Sequence, residues 1–176
     1  KCLVAVALAS VLMLIYIAFR FRKIGGASAG AMSVVALIHD AVMVYTAFVV
    51  FRFPLDSNFI AAVLTILGYS INATIVVYDR IRENERLYPK MDQAELINLS
   101  LNQSKTRTVR TTVSTVIALV VVSVVAIIYN VTSILTFTLP LIVGMISGLY
   151  SSMCLAPQLW YTWQLHAKKV KAERKK

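Results

Sequence analysis

The 176-residue chain is 59% hydrophobic, has a mean hydropathy of +0.74 and carries a formal charge of +10, which places it outside the range of soluble globular domains. Its apolar runs are continuous, not alternating over about ten residues, so a membrane β-barrel is excluded. Its basic residues are segregated along the chain and leave nucleic acid without a case as partner. The expected fold class is all-α, a polytopic membrane helix bundle.

A bilayer core roughly 30 Å thick requires about 20 apolar residues per helical span. Stretches that meet this requirement run over residues 3–19, 29–51, 59–78, 111–129 and 134–155, so about five transmembrane helices are expected. Lys1 would suit a signal-peptide n-region, but the basic cluster after the first stretch fits a retained span better. Arg20, Arg22 and Lys23 follow that span. Arg80, Arg82, Arg86, Lys90, Lys105, Arg107 and Arg110 lie between the third and fourth, and six more lysines and arginines form the tail. Only Lys1 and Arg52 remain for the other side. This is the positive-inside pattern, and it predicts an outside N-terminus and a cytoplasmic C-terminus. The basic tail is also expected to meet anionic lipid headgroups.

The outer connections, 52–58 with Pro54 and 130–133, are too short to hold a domain. Inside, residues 92–101 mix polar and apolar positions in a way suited to an amphipathic helix of about 91–105 lying along the cytoplasmic surface. Asp92 is the expected N-cap, with Glu95 three residues on as capping-box partner. The resulting division is a transmembrane domain over 1–157 and a basic cytoplasmic tail over 158–176. In the last span, Pro140 predicts a kink, and Gly144 and Gly148 at four-residue spacing predict close helix approach. Cys2 and Cys154 sit in apolar runs, where thiols behave as small hydrophobes. Neither a disulfide framework nor metal-ligand spacing is present. No catalytic residue is assigned, and the chain is not expected to be an enzyme.

A charged group at mid-membrane carries an insertion penalty of about 2.5 to 3.5 kcal/mol, so each one is a functional candidate. Asp40, midway along the second span beside His39, is the carboxylate in that position. Burial disfavours the charged form of a carboxyl, a property suited to proton exchange. A satisfied polar pair that orients helices is the equal alternative, and His39 fits such a partner. Arg107 and Arg110 lie one turn apart at the start of the fourth span. Snorkelling to the headgroups accounts for Arg110 and leaves Arg107 undecided. At the end of the third span, Asp79, Arg80, Arg82 and Glu83 are spaced for Asp79 to meet Arg82 and Glu83 on one helix face, as an interfacial anchor. Tyr69, Ser70, Asn72 and Thr74 supply polar groups for bonds across helices.

The run 68–84, Gly-Tyr-Ser-Ile-Asn-Ala-Thr-Ile-Val-Val-Tyr-Asp-Arg-Ile-Arg-Glu-Asn, closely resembles the signature of the SecF subunit family of the SecD and SecF protein-export factor. That family lies within the resistance-nodulation-division superfamily of proton-driven transporters. Gly68, Tyr69, Ser70, Asn72, Asp79, Arg80, Arg82 and Glu83 carry the likeness, the segment 15–21 looks like the end of the family's second span, and 36–40 looks like its third. On that register, the family's first span and periplasmic domain are expected to be missing from this chain. The resemblance implies that Arg107 is tied to proton coupling. In the family, an aspartate commonly follows the Gly-Tyr-Ser-hydrophobic-Asn motif and works with that arginine. Here Ala73 stands in its place, so either a carboxylate of a SecD-like partner does the work alone, which is the favoured expectation, or the protein couples differently, weakly or to another cation.

The function so implied is a protein-export subunit that, with SecD, uses the proton gradient to assist translocation of unfolded polypeptide across the bacterial cytoplasmic membrane. It would act beside the Sec translocation channel, with a membrane insertase as a further partner, with no cofactor and with the proton as coupling ion. Two alternatives are a small-molecule or lipid transporter of the same superfamily and a structural membrane subunit whose charges only orient helices.

Overall fold

The computed structural model describes residues 26–173 together with Leu12, Ile15, Tyr16 and Phe19. The expected span over 3–19 therefore falls almost wholly outside the described residues. Within them there is no strand, and the order of elements is α1 (Gly26–Val50), α2 (Ser57–Leu87), α3 (Gln93–Ile128), α4 (Thr132–Tyr150), a π-helical turn (Ser151–Leu155) and α5 (Ala156–Glu173). Four stretches among the described residues are long and apolar enough to cross a membrane: Ser28–Val50, Ser57–Leu87, Gln93–Ile128 and Thr132–Ala167. At 31 and 36 residues, α2 and α3 are roughly 46 and 54 Å long at 1.5 Å per residue. Both outreach a hydrocarbon core of about 30 Å.

Aspartates start the two long helices. Asp56 accepts the backbone N–H of Asn58 at 2.8 Å, and Asp92 accepts that of Ala94 at 3.1 Å, satisfying donors that no intrahelical carbonyl can reach. Asp92 thus caps as expected, but the helix it starts is not a separate surface element. It runs unbroken into the fourth expected span because neither glycine nor proline interrupts residues 93–128. Ser100, Ser104, Thr108 and Thr112 form a buried stripe of small hydroxyl residues at four-residue spacing along it. This stripe lies against α2, with Asn84 Nδ2 donating to Ser100 Oγ at 2.8 Å and Tyr69 Oη 2.6 Å from Thr112 Oγ1.

The last expected span also differs. Helical geometry passes through Pro140 within α4 and leaves the α form only at the π-turn Ser151–Leu155. Pro157 comes directly after that turn and Ala156. A proline has no N–H for the carbonyl four residues back and crowds it sterically, and a wider turn relieves both problems. Beyond it, the supposed tail continues as α5. Trp160 is buried there, its ring 5.5 Å from that of Tyr78 and nearly perpendicular to it, while Tyr78 donates to the Ala156 carbonyl at 3.0 Å.

Apolar packing falls into two clusters. One holds Val44, Phe48, Ala62, Ile66, Leu141 and Met145, and the other includes Leu37, Ile75, Tyr78, Ile81, Leu96 and Trp160. Gly144 allows the first cluster to close, as its spacing predicted. A Cβ there would lie 2.7 Å from Ile66 Cγ1 and 2.8 Å from Val44 Cγ2. Along α1, Leu37 belongs to one cluster and Val44 to the other, which places Asp40 between them.

Candidate functional site

Asp40 is completely buried. Its carboxylate lies where α1, α2 and the end of α4 meet, and hydroxyl donors from these neighbouring segments converge on it. Ser70 Oγ donates to Oδ2 at 2.5 Å, Ser151 Oγ to Oδ2 at 2.6 Å and Ser147 Oγ to Oδ1 at 3.3 Å. His39 Nδ1 is 3.1 Å from Oδ1. Gly148 brings the backbone of α4 close beside this group, since a Cβ there would lie 3.6 Å from Ser70 Cβ and 3.8 Å from Asp40 Oδ2. His39 is 34% exposed at its side chain and faces Tyr150 at 6.4 Å between ring centroids, so it links the buried carboxylate to the bundle surface. Tyr45 and Thr46 take no part. Tyr45 packs edge-on to Phe59, and Thr46 bonds the Val42 carbonyl of its own helix.

Arg107 lies elsewhere. It is exposed and lines a pocket of about 110 Å³ with Tyr69, Asn72, Ala73, Val76, Thr108 and Thr111. Ala73, the residue that departs from the signature, is thus on the wall that Arg107 shares. Among the described residues, no carboxylate forms an ion pair with Arg107. The two sequence-predicted proton-coupling residues are therefore not brought together. They lie against different faces of α2, Ser70 turning to Asp40 and its neighbour Tyr69 turning to α3.

The exit cluster joins α2 to α3 through Arg80, whose Nη1 lies 2.6 Å from Glu83 Oε2 and whose Nε donates to Gln103 Oε1 at 2.7 Å. Asn84 donates to the same Gln103 oxygen at 2.8 Å. Asp79, Arg82, Glu83 and Arg86 line a surface pocket of about 330 Å³. This arrangement ties two helices together outside the apolar span, in keeping with an anchor. Gly68 has open space where a Cβ would stand, so close packing does not explain that position.

Sequence reasoning missed Ser147 and Ser151. The available signal was their four-residue spacing, offset by three from Gly144 and Gly148, which places hydroxyls beside the small-residue face. It also passed over Pro157, the residue that accounts for the π-turn.

Residues 1–166 match the family described as "Protein export membrane protein SecD/SecF, C-terminal". The chain is 48% identical over 108 residues to the protein translocase subunit SecF of Sebaldella termitidis, covering 61% of this chain and 34% of that protein. It is 41% identical over 167 residues to the protein translocase subunit SecDF of Bacillus subtilis, covering 93% of this chain and 22% of that protein. The crystal structure of SecDF, a translocon-associated membrane protein from Thermus thermophilus, superposes with a TM-score of 0.80 at 36% identity, over 93% of this chain and 22% of that one. The chain thus spans between about a fifth and a third of the length of these relatives.

Proposed function

The chain belongs to the SecD/SecF C-terminal family of protein export membrane proteins, and on that basis we propose that it forms the membrane part of a SecF subunit. With a SecD-like subunit, it uses the transmembrane proton gradient to assist translocation of unfolded polypeptide across the bacterial cytoplasmic membrane, beside the Sec channel. The subunit is a transport device and not an enzyme. Its basic loop and tail face the cytoplasm, a reading that the charge asymmetry supports. Partnership with SecD draws support from relatives that carry both parts in one protein.

One observation carries the proton reading: a fully buried carboxyl contacted by hydroxyls from α2, α4 and the π-turn. A proton arriving there changes the charge at a junction of three segments. That difference in stability between two helix arrangements is what a coupled motion needs. Arg107 supplies the second half of the couple, its pocket taking a carboxylate from the SecD-like partner where the family's aspartate is replaced by Ala73.

The test is proton-gradient-dependent export in membrane vesicles containing the complete protein with Asp40→Asn, Arg107→Ala or Arg107→Lys. Loss of the gradient-dependent part of export is expected in Asp40→Asn and Arg107→Ala. Unchanged export in Asp40→Asn would assign that residue a purely structural role, and unchanged export in both arginine variants would remove Arg107 from the couple.

A further inference from the structure

The hydroxyls around Asp40 are not equivalent. Ser151 Oγ lies 2.6 Å from Asp40 Oδ2 and 3.2 Å from the Gly148 carbonyl oxygen on its own helix, and a single O–H serves one acceptor well at a time. Building on the reading of Asp40 as the proton site, we propose that Ser151 is a positioning residue that lets this carboxyl change charge without leaving a buried polar atom unpaired.

In the charged state, Ser70 and Ser151 both donate to Oδ2, and Ser70 keeps its bond to that oxygen when the acid forms. When a proton arrives on Oδ2, the acid becomes the donor and Ser151 Oγ the acceptor, while the Ser151 hydrogen turns to the Gly148 carbonyl. No bond to carbon changes, and the net event is one proton gained by the carboxylate. Ser152 completes the exchange. It donates to the same Gly148 carbonyl at 2.6 Å and has the Leu149 carbonyl within 3.3 Å as its alternative. Two hydroxyls, each with two acceptors in reach, can therefore accommodate either charge state. Unpaired buried polar groups would otherwise make one state costly.

The π-turn sets this geometry. The Ala156 N–H bonds the Ser151 carbonyl five residues back, so the turn takes one residue more than an α-turn and rotates the downstream helix by about 100°. That extra residue allows Ser151 to face Asp40 while Ala156 and Trp160 still meet Tyr78. π-Turns within α-helices are frequent at functional sites, and here one serves two docking surfaces. The titratable group in contact with Asp40 is His39 on its own helix, whose ring faces Tyr150. Ser70 from α2, Ser147 from α4 and Ser151 from the π-turn are uncharged, and among the described residues no lysine or arginine lies within ion-pair distance of Asp40.

The experiment follows the protonated-acid carbonyl band by infrared spectroscopy against pH in the complete protein in lipid, with Asp40→Asn to assign the band. In Ser151→Ala, the carboxylate loses a donor and the acid loses an acceptor. The charged partner forms the stronger bond, so the midpoint is expected to move to higher pH by about one unit, a tenfold gain in proton affinity. Ser151→Thr keeps the hydroxyl and is expected to restore the parent profile. Should Ser151→Ala not give folded protein, Ser151→Cys, nearly the same size but a weaker donor, is read instead and should move the midpoint the same way. An unmoved midpoint in the Ala or Cys variant, or a Thr variant that behaves like Ala, overturns the role of Ser151 alone. A band that persists in Asp40→Asn overturns the proton reading as well.

Discussion

Helix α2 has a polar centre on each side, and the two are built on different plans. Toward α1 and α4, Ser70 joins Ser147, Ser151 and His39 around a carboxylate with no exposed surface. Toward α3, the adjacent residue Tyr69 and the next turn, Asn72, Ala73 and Val76, form an open pocket with an exposed guanidinium. Successive helix residues point about 100° apart, so one strand of sequence, Tyr69-Ser70, feeds both. The first centre is complete within this chain. The second holds a cation with no matching anion among the described residues. A closed centre contributes to folding through its own contacts, whereas an open one contributes little to folding until something fills it.

Removing each charged group gives the largest test of that contrast. Asp40→Ala strips the acceptor from Ser70 and Ser147, leaves Ser151 only its Gly148 carbonyl contact and opens a cavity among buried atoms, and each orphaned polar group costs about 1 to 3 kcal/mol. A loss of roughly 3 kcal/mol in unfolding free energy is expected, measured by denaturant titration in mixed micelles. Arg107→Ala, at an exposed position, should stay within about 0.5 kcal/mol. Equal losses would erase the distinction between closed and open centres.

The glycines of α4 provide the next test, on the closed side alone. A Cβ at Gly144 would enter the van der Waals space of Ile66 and Val44 at under 3 Å, while one at Gly148 would meet its neighbours at 3.6 Å or more. Gly144→Ala should therefore cost about 1 to 3 kcal/mol by overpacking. Gly148→Ala should cost less than half of that in the same titration. A reversed order would mean that the helix contact is set at the Asp40 level and not at Gly144. On the open side, Tyr69→Phe removes the 2.6 Å contact with Thr112. It should cost about 1 kcal/mol, because Thr112 keeps its own-helix bond to the Thr108 carbonyl.

How far these centres could be read from sequence depends on whether their signals are local. Continuous apolar runs and Asp92 mark helices by short-range rules, and Gly144 marks a close contact by its spacing. Asp40 stood out because a charge at mid-span is costly. Ser147 and Ser151 did not, since serine is common in membrane helices and its significance here depends on a π-turn that rotates the chain beyond Leu155. The 91–105 segment reads as amphipathic because Ser100 and Ser104 are polar by type, yet both are buried against α2. Polarity by type fails wherever a hydroxyl bonds back to its own helix, as Ser100 does to Leu96 at 2.7 Å.

The smallest expected effect compares the ends of the helices that carry the two charged groups. α1, which holds Asp40, and α3, which holds Arg107, end in the same way. Arg52 N–H bonds the Val49 carbonyl and Phe53 N–H that of Phe48, while Asn130 N–H bonds the Ile127 carbonyl and Val131 N–H that of Ala126. These are Schellman ends, and both residues at the turn have positive φ, 55° at Arg52 and 54° at Asn130. A side chain with an ordinary Cβ disfavours that region by about 1 to 2 kcal/mol, and asparagine tolerates it better. Glycine removes the steric penalty and returns part of the gain as extra unfolded-chain entropy. Arg52→Gly is therefore expected to raise the unfolding free energy by about 0.5 kcal/mol, and Asn130→Gly to leave it unchanged within about 0.3 kcal/mol. Equal gains at both sites would show that the side chain at the turn does not set this penalty, and would place the difference between the two helices entirely at their polar centres.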